Sequence, residues 1–160
     1  MKRYLEMSRA PFLSAIIMPI IVATALAWRD TGSVKWLSFV LVMASLVAAH
    51  TGANLLNDYF DWRLGADRIN ANRNRFSGGS PHIAEGRAEP SLFLRSGIAS
   101  FAAAAAAGVA LLLTCGRPLL PLLLMGLAGF AIGVAYTAPP FKLAYRGLGE
   151  ACIFAAFGIL

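Results

Sequence analysis

The residues NLLNDYFDWRLGAD at 54–67 close a stretch of about twenty residues that is almost wholly apolar. At 100° per residue, five polar side chains around this point fall within about 100° of one another on a helix. They are His50, Asn54, Asn57, Asp58 and Asp61. Polar groups facing lipid are costly, so this polar stripe is expected to face the interior of a helix bundle or a wet cavity.

The rest of the chain has the composition of a membrane protein. Of its 160 residues, 58% are hydrophobic and 14% are charged, far from the balance of a soluble domain. Several segments reach the length of about 20 residues that crosses a bilayer. The sequence therefore predicts an all-α, polytopic transmembrane helix bundle. Its predicted helices cover about 11–28, 36–60, 92–115, 118–136 and 148–160, with polar loops at about 61–91 and 137–147.

The fifth predicted helix is short, with about a dozen apolar-rich residues up to Leu160, too few to span. A helix end inside the bilayer would leave its last carbonyl groups without partners. We therefore expect the chain to be a fragment, and we expect the fragment alone to be inactive.

The distribution of Lys and Arg predicts the orientation. Eleven of the 14 Lys and Arg residues fall in the N-terminal arm, the 58–95 region and the 137–147 loop, and three fall on the other side. Cytoplasmic loops carry the excess of these residues, so the N-terminus and both polar loops are expected in the cytoplasm, with the helices in the cell (inner) membrane. The net charge of +6 then reflects topology, and no soluble basic face indicates nucleic-acid binding. A cleaved signal peptide is the alternative for the first helix, because Lys2 and Arg3 precede an apolar run that ends in ATALA.

Three carboxylates, Asp58, Asp61 and Asp67, lie close together and would repel one another unless a cation joins them. Mg²⁺ commonly takes one or two carboxylates together with substrate phosphates. Arginines follow at 68, 73 and 75, and guanidinium groups bind phosphate oxygens bidentately. Carboxylates and arginines beside an apolar cavity indicate a lipid-like diphosphate as the ligand. The alternative is a solvated loop whose charges only end the helix.

Two motifs resemble one known family. NDYFDWRLGADRINANRNRFSGGS at 57–80 resembles the first aspartate-rich motif of the UbiA superfamily of intramembrane prenyltransferases, closest to its 1,4-dihydroxy-2-naphthoate branch. YTAPPFKLAYRGLGE at 136–150 is similar to the segment between the fourth and fifth helices of that branch. Arg9 ahead of Pro11 is a weaker match, since Ala10 separates them. In much of the superfamily a carboxylate stands where this chain has Gly65, and the Gly-x-Asp form is like the naphthoate branch.

The resemblance implies a fold of nine helices, of which this chain supplies about four and a half, and a second aspartate-rich motif in the later half. It also implies Mg²⁺-dependent transfer of a polyprenyl group from polyprenyl diphosphate to an aromatic acceptor in menaquinone biosynthesis, within membrane lipid. The implied catalytic residues are Asn57, Asp61 and Asp67, and the implied metal ligands are Asp58, Asp61 and Asp67. The implied substrate-binding residues are Arg9, Asn54, Arg68, Arg75, Tyr136 and Lys142. Positive-inside anchoring and an interfacial aromatic belt remain alternatives for Arg9, Lys142 and Tyr136.

Other functions remain open from the sequence. A prenyltransferase of the same superfamily could use 4-hydroxybenzoate or another quinone or lipid precursor as acceptor. A CDP-alcohol phosphotransferase also uses helix-borne aspartates and Mg²⁺, but its Asp-Gly, Ala-Arg order is absent from this sequence. A transporter would use intramembrane carboxylates for ion coupling and would show inverted repeats. No repeat of the NDYFD segment occurs in the chain.

Overall fold

The computed structural model describes residues 9–69, 81–116 and 119–159, and within them it leaves out the side chains of residues 10, 68 and 69. Every regular element in these ranges is helical. The α-helices are α1 Ser14–Thr31, α2 Trp36–Leu64, α3 Ala66–Ile69, α4 Pro81–Ala84, α5 Pro90–Thr114, α6 Leu119–Ala135 and α7 Gly149–Phe154. Two 3₁₀ turns cover Ala10–Leu13 and Leu143–Arg146, and a π-helical turn, Ala155–Ile159, follows α7.

Within the described ranges, three helical segments are long and apolar enough to cross a membrane: Pro11–Thr31, Trp36–Leu64 and Pro90–Thr114. The fourth predicted span is represented by α6, whose 17 residues extend about 26 Å at 1.5 Å per residue, slightly less than the hydrocarbon core of about 30 Å. The last apolar helix, Gly149–Ile159, is shorter still. The prediction of an all-α bundle with membrane-length helices is confirmed, and the chain is that of an integral membrane protein.

The end of α2 differs from the prediction. This helix continues past 60 to Leu64 and stops because Gly65 adopts a left-handed conformation with φ 90°, which glycine reaches without a Cβ penalty. Asp61 therefore lies on the last turns of α2, and Asp67 lies in the first turn of α3. The segment predicted as a loop at 61–91 thus contains the end of α2 together with α3 and α4, and the predicted loop at 137–147 contains the 3₁₀ turn Leu143–Arg146.

The main packing contact is between α2 and α5, and two glycines permit it. A Cβ at Gly52 would lie 2.9 Å from Cδ2 of Phe101 and 3.1 Å from the carbonyl oxygen of Gly97. A Cβ at Gly97 would lie 2.9 Å from Cδ2 of Leu56. Small residues at such crossings let membrane helices approach closely. This crossing fixes α2 against α5 less than two turns before the aspartate-rich motif begins.

A small core supports the motif end of α2. Leu55, Ile83, Ala88 and Phe93 are buried together, and Tyr59, Trp62 and Leu92 pack against them. Through these contacts α4 and the start of α5 lie against the last turns of α2. The helix that carries the polar stripe is therefore held on one side by apolar packing.

Candidate active site

The stripe predicted on α2 points into the protein, and its most buried member is Asp58. The Asp58 side chain has no exposed surface and forms an ion pair with the guanidinium of Arg9, which is 20% exposed. Arg9 precedes the 3₁₀ turn at the start of the first membrane helix and has a left-handed backbone, φ 52°. The other carboxylate oxygen of Asp58, Oδ2, is buried without a hydrogen-bond partner among the described residues. The Arg9–Asp58 pair thus ties the entry of the first helix to the motif.

Asp61 lies one turn further along α2 and accepts two hydrogen bonds from neutral groups. Nδ2 of Asn57 donates to its Oδ2 at 2.5 Å, and the phenol of Tyr145 donates to its Oδ1 at 2.5 Å. Asn57 is on the same helix, whereas Tyr145 comes from 84 residues later in the chain. The two sequence motifs therefore meet at one carboxylate.

The segment after α6 folds back on itself and brings Tyr145 to this place. The backbone N–H of Ala144 donates to the carbonyl oxygen of Tyr136 at 2.9 Å. The N–H of Tyr145 donates to the carbonyl oxygen of Lys142 at 3.0 Å. Gly149 packs beside the Tyr136 ring, where a Cβ would lie 3.4 Å from the phenol oxygen. This chain reversal places both tyrosines on the side of α2 that carries Asp61.

Between these elements lies a pocket of about 210 Å³. Its lining residues come from the end of α2, the start of α3 and the 136–145 segment: Asn57, Asp61, Ala66, Tyr136, Ala144 and Tyr145. Asp67 is buried, 7% exposed. It acts electrostatically on Tyr145, as Asp61 does. The polar groups that line the pocket are therefore the Asp61 carboxylate, one amide and two phenols, and the charge of Asp67 acts on Tyr145 from nearby.

Both pocket tyrosines stay protonated at neutral pH. Burial raises the pKa of Tyr145 above its ordinary value, and its hydrogen bond to Asp61 and the negative charges of Asp61 and Asp67 raise it further. Burial also raises the pKa of Tyr136, with Asp61 contributing in the same direction. Tyr145 is consequently a hydrogen-bond donor to Asp61 over the whole physiological range of pH.

The donor set fits a hard divalent cation that is shared with a substrate. No group of three or more His, Cys, Asp or Glu side chains within residues 9–69, 81–116 and 119–159 is arranged to hold a metal ion. A complete protein cage is not required, because Mg²⁺ commonly uses one or two carboxylates and takes its other ligands from water and phosphate. The buried, unpartnered Oδ2 of Asp58 and the pocket-lining carboxylate of Asp61 are oxygen donors of the required kind.

Comparison with known proteins identifies the family. The profile of the UbiA prenyltransferase family matches residues 16–160. The chain belongs to this family. It is 30% identical over 145 residues to 1,4-dihydroxy-2-naphthoate octaprenyltransferase of Bacillus subtilis (strain 168), covering 91% of this chain and 44% of that protein. It is 29% identical over 150 residues to the chloroplastic 2-carboxy-1,4-naphthoquinone phytyltransferase of Arabidopsis thaliana, covering 94% of this chain and 36% of that protein.

A third relative gives the same result. The chain is 30% identical over 159 residues to 2-carboxy-1,4-naphthoquinone phytyltransferase of Synechocystis sp. (strain ATCC 27184 / PCC 6803 / Kazusa), covering 99% of this chain and 48% of that protein. The chain thus spans less than half the length of each of these three relatives. No solved structure matches it significantly. The family expected from the motifs is confirmed, and the names of these three relatives specify a naphthoate or naphthoquinone.

Within this UbiA chain, the structure brings only some of the residues expected at the site to the pocket. Asn57, Asp61 and Tyr136 line the pocket. Asp58 and Arg9 form the neighbouring ion pair. Asp67 is close enough to act on Asp61 and Asp58. The assignment of three metal ligands remains a prediction, and Asp58 is the member whose charge is already matched by Arg9.

The other expected substrate-binding residues lie farther along the elements or outside the description. Asn54 lies one turn before Asp58, and its Nδ2 is buried without a partner among the described residues. Lys142 has a left-handed backbone, φ 50°, and precedes the 3₁₀ turn that carries Tyr145. The backbone of Arg68 belongs to α3, but its side chain lies outside the description, and Arg75 falls wholly outside the described residues.

Tyr145 is the site residue that sequence reasoning missed. It stands inside the UbiA motif YTAPPFKLAYRGLGE, nine residues after Tyr136. Neither its position in the motif nor its residue type assigns it a role. A tyrosine near the end of a membrane helix is commonly an interfacial anchor, so its type alone carried no signal. The missing information was the chain reversal at 136–145. It brings Tyr136 and Tyr145, nine residues apart in the sequence, to the same pocket.

Proposed function

We propose that this UbiA chain supplies the diphosphate-binding part of a Mg²⁺-dependent prenyltransferase active site. The reaction moves a polyprenyl group from polyprenyl diphosphate to an aromatic acceptor, 1,4-dihydroxy-2-naphthoate. One observation carries the proposal: Asn57 and Asp61 of the first motif and Tyr136 and Tyr145 of the second line the same pocket at the end of a membrane-length helix. An ionic pocket beside apolar helices suits a substrate with a diphosphate head and a hydrocarbon tail.

Each residue has a distinct role in this proposal. Asp61 and Asp67 would hold Mg²⁺ together with the diphosphate, and Asn57 orients Asp61 through the bond to its Oδ2. Arg68, Arg75 and Lys142 contact the diphosphate oxygens and match the negative charge that grows as the C–O bond breaks. Mg²⁺, when bound, would supply further positive charge for the leaving diphosphate. We place this end of the bundle on the cytoplasmic side of the cell membrane.

The prenyl group leaves as an allylic cation, and the bonding electrons stay with the diphosphate oxygen. The electron-rich ring of the acceptor attacks the cation and then loses a proton to the released diphosphate, which restores its aromaticity. An apolar enclosure is needed because water would otherwise trap the cation. The relatives whose names specify naphthoate or naphthoquinone acceptors support this acceptor class over 4-hydroxybenzoate.

The test uses the complete natural protein in membranes, called the full natural chain below, with a labelled polyprenyl diphosphate and either 1,4-dihydroxy-2-naphthoate or 4-hydroxybenzoate. We expect a prenylated naphthoate product that EDTA abolishes and Mg²⁺ restores. Asp61→Asn and Asp67→Asn should each abolish Mg²⁺-dependent turnover. Asp30→Asn is the matched control, because Asp30 is exposed and pairs only with its neighbour Arg29 among the described residues. Normal turnover in both motif variants, or uptake of the lipid without product, would contradict the proposal.

A further inference from the structure

The hydrogen bond from Tyr145 to Asp61 differs in kind from the contact that Asp58 makes. Asp58 is paired with a guanidinium cation, so its charge is matched within the protein. Among the residues that the structure describes, the two donors to Asp61 are an amide and a phenol, and both are neutral. They fix the orientation of the carboxylate and leave its negative charge available to a cation.

The two donors together determine the orientation of the Asp61 carboxylate. Asn57 holds Oδ2 from within α2, and Tyr145 holds Oδ1 from the segment that follows α6. A carboxylate has about four lone-pair positions on its two oxygens. One hydrogen bond to each oxygen therefore leaves a further position on each for a cation. Carboxylates that bind metals are themselves commonly held by such outer hydrogen bonds.

We propose that Tyr145 is a positioning residue for divalent-cation binding by Asp61, acting through the hydrogen bond from its phenol to Oδ1. This inference rests on the proposed function and deepens it. The 136–145 segment then does more than line the pocket. Through Tyr145 it also orients the carboxylate of α2 that binds the cation. Tyr145 contacts Asp61 and is not itself a ligand. Removal of its hydroxyl group should weaken cation binding, because the carboxylate loses one of the two bonds that orient it.

The direct test measures Mn²⁺ binding by electron paramagnetic resonance, using the full natural chain purified in detergent. Mn²⁺ serves as a spectroscopic substitute for Mg²⁺. Loss of an outer hydrogen-bond partner typically weakens metal affinity by about 10-fold to 100-fold, and we expect Tyr145→Phe to raise the Mn²⁺ Kd by this factor. Tyr59→Phe is the matched control, because the Tyr59 hydroxyl accepts a hydrogen bond from Arg63 at 2.8 Å and does not line the described pocket. Its Kd should equal that of the natural chain.

Two further measurements separate positioning from a purely structural role. In Tyr145→Phe the Mg²⁺ concentration for half-maximal prenyl transfer should rise, and turnover should recover at saturating Mg²⁺. p-Aminophenylalanine at position 145 keeps the ring and a donor, and it should restore most of the affinity. If the Phe variant does not fold, O-methyltyrosine at the same position provides the donor-free comparison.

The outcomes are distinct. A folded Tyr145→Phe variant with unchanged Mn²⁺ affinity would contradict the positioning role alone, and so would tighter binding, which would show that Tyr145 competes with the cation. Failure of the natural chain to bind Mn²⁺ at all would contradict the Mg²⁺ site of the proposed function. The role inferred for Tyr145 would then be refuted as well.

Discussion

The buried ion pair between Arg9 and Asp58 gives the most direct test of how the first helix is joined to the motif. Replacing Arg9 by Ala would leave the Asp58 carboxylate, which has no exposed surface, without its partner charge. Breaking a buried pair by removing one member costs about 3–5 kcal/mol. Arg9 is 20% exposed, so water can reach part of the site, and we expect a loss near the lower limit, about 3 kcal/mol.

Asp58→Asn should cost less, because it removes the buried charge together with the ion pair. The loss is then the difference between a charged and a neutral hydrogen bond, about 1 kcal/mol. In the double variant no charge is buried, and the remaining cost is that of one poorly paired amide, about 1–3 kcal/mol. The losses of the two single variants sum to about 4 kcal/mol. The double variant should therefore lose less stability than this sum.

The assay is equilibrium unfolding of the full natural chain by SDS in mixed micelles, followed by far-ultraviolet circular dichroism. The matched control is the pair Arg29 and Asp30, whose side chains are 70% and 62% exposed. Exposed pairs contribute about 0–1 kcal/mol, so Arg29→Ala and Asp30→Asn should change little. Strictly additive losses for Arg9→Ala and Asp58→Asn would refute the argument, since additivity means that the two side chains do not interact.

Two other predictions concern packing and pH. Gly52→Ala should destabilise the bundle by about 1–3 kcal/mol, the usual cost of overpacking, because the new Cβ would meet Phe101 and the backbone of Gly97. Gly126→Ala is the control in the same unfolding assay, because a Cβ there would meet nothing within 4 Å. The raised pKa of Tyr145 predicts that its contribution to stability is complete below the ordinary tyrosine pKa of 10.0 and is lost as the pH rises further, because the phenol then ionises more readily in the unfolded chain. The stability difference between the natural chain and Tyr145→Phe should therefore shrink above that pH, and a difference that grows would contradict the assigned sign.

The all-α fold and the polar residues that α2 contributes to the pocket could be predicted from local sequence patterns. Apolar segment lengths predict the membrane helices, and helical periodicity places Asn57, Asp58 and Asp61 on one inward stripe. Periodicity describes one helix at a time, so it could not show which partner each stripe residue has. Arg9 is 49 residues from Asp58, and Tyr145 is 84 residues from Asp61. The first contact depends on the packing of the N-terminal 3₁₀ turn and α1 against α2, and the second depends on the chain reversal after α6. Neither leaves a periodic signal in the sequence.

The different partners of Asp58 and Asp61 indicate different roles for two carboxylates that the sequence alone treats as equivalent. They are three residues apart on α2, and helical geometry turns them about 60° from one another. Asp58 points towards the N-terminal arm, where Arg9 matches its charge. Asp61 points towards the pocket, where its hydrogen-bond partners within the described part of the chain are neutral and leave its charge for a cation. Loss of Asp58 should then act mainly on stability, and loss of Asp61 on cation binding and turnover. If Asp58→Asn weakened Mn²⁺ binding as strongly as Asp61→Asn does, Asp58 would be a metal ligand, binding through the Oδ2 that has no hydrogen-bond partner among the described residues.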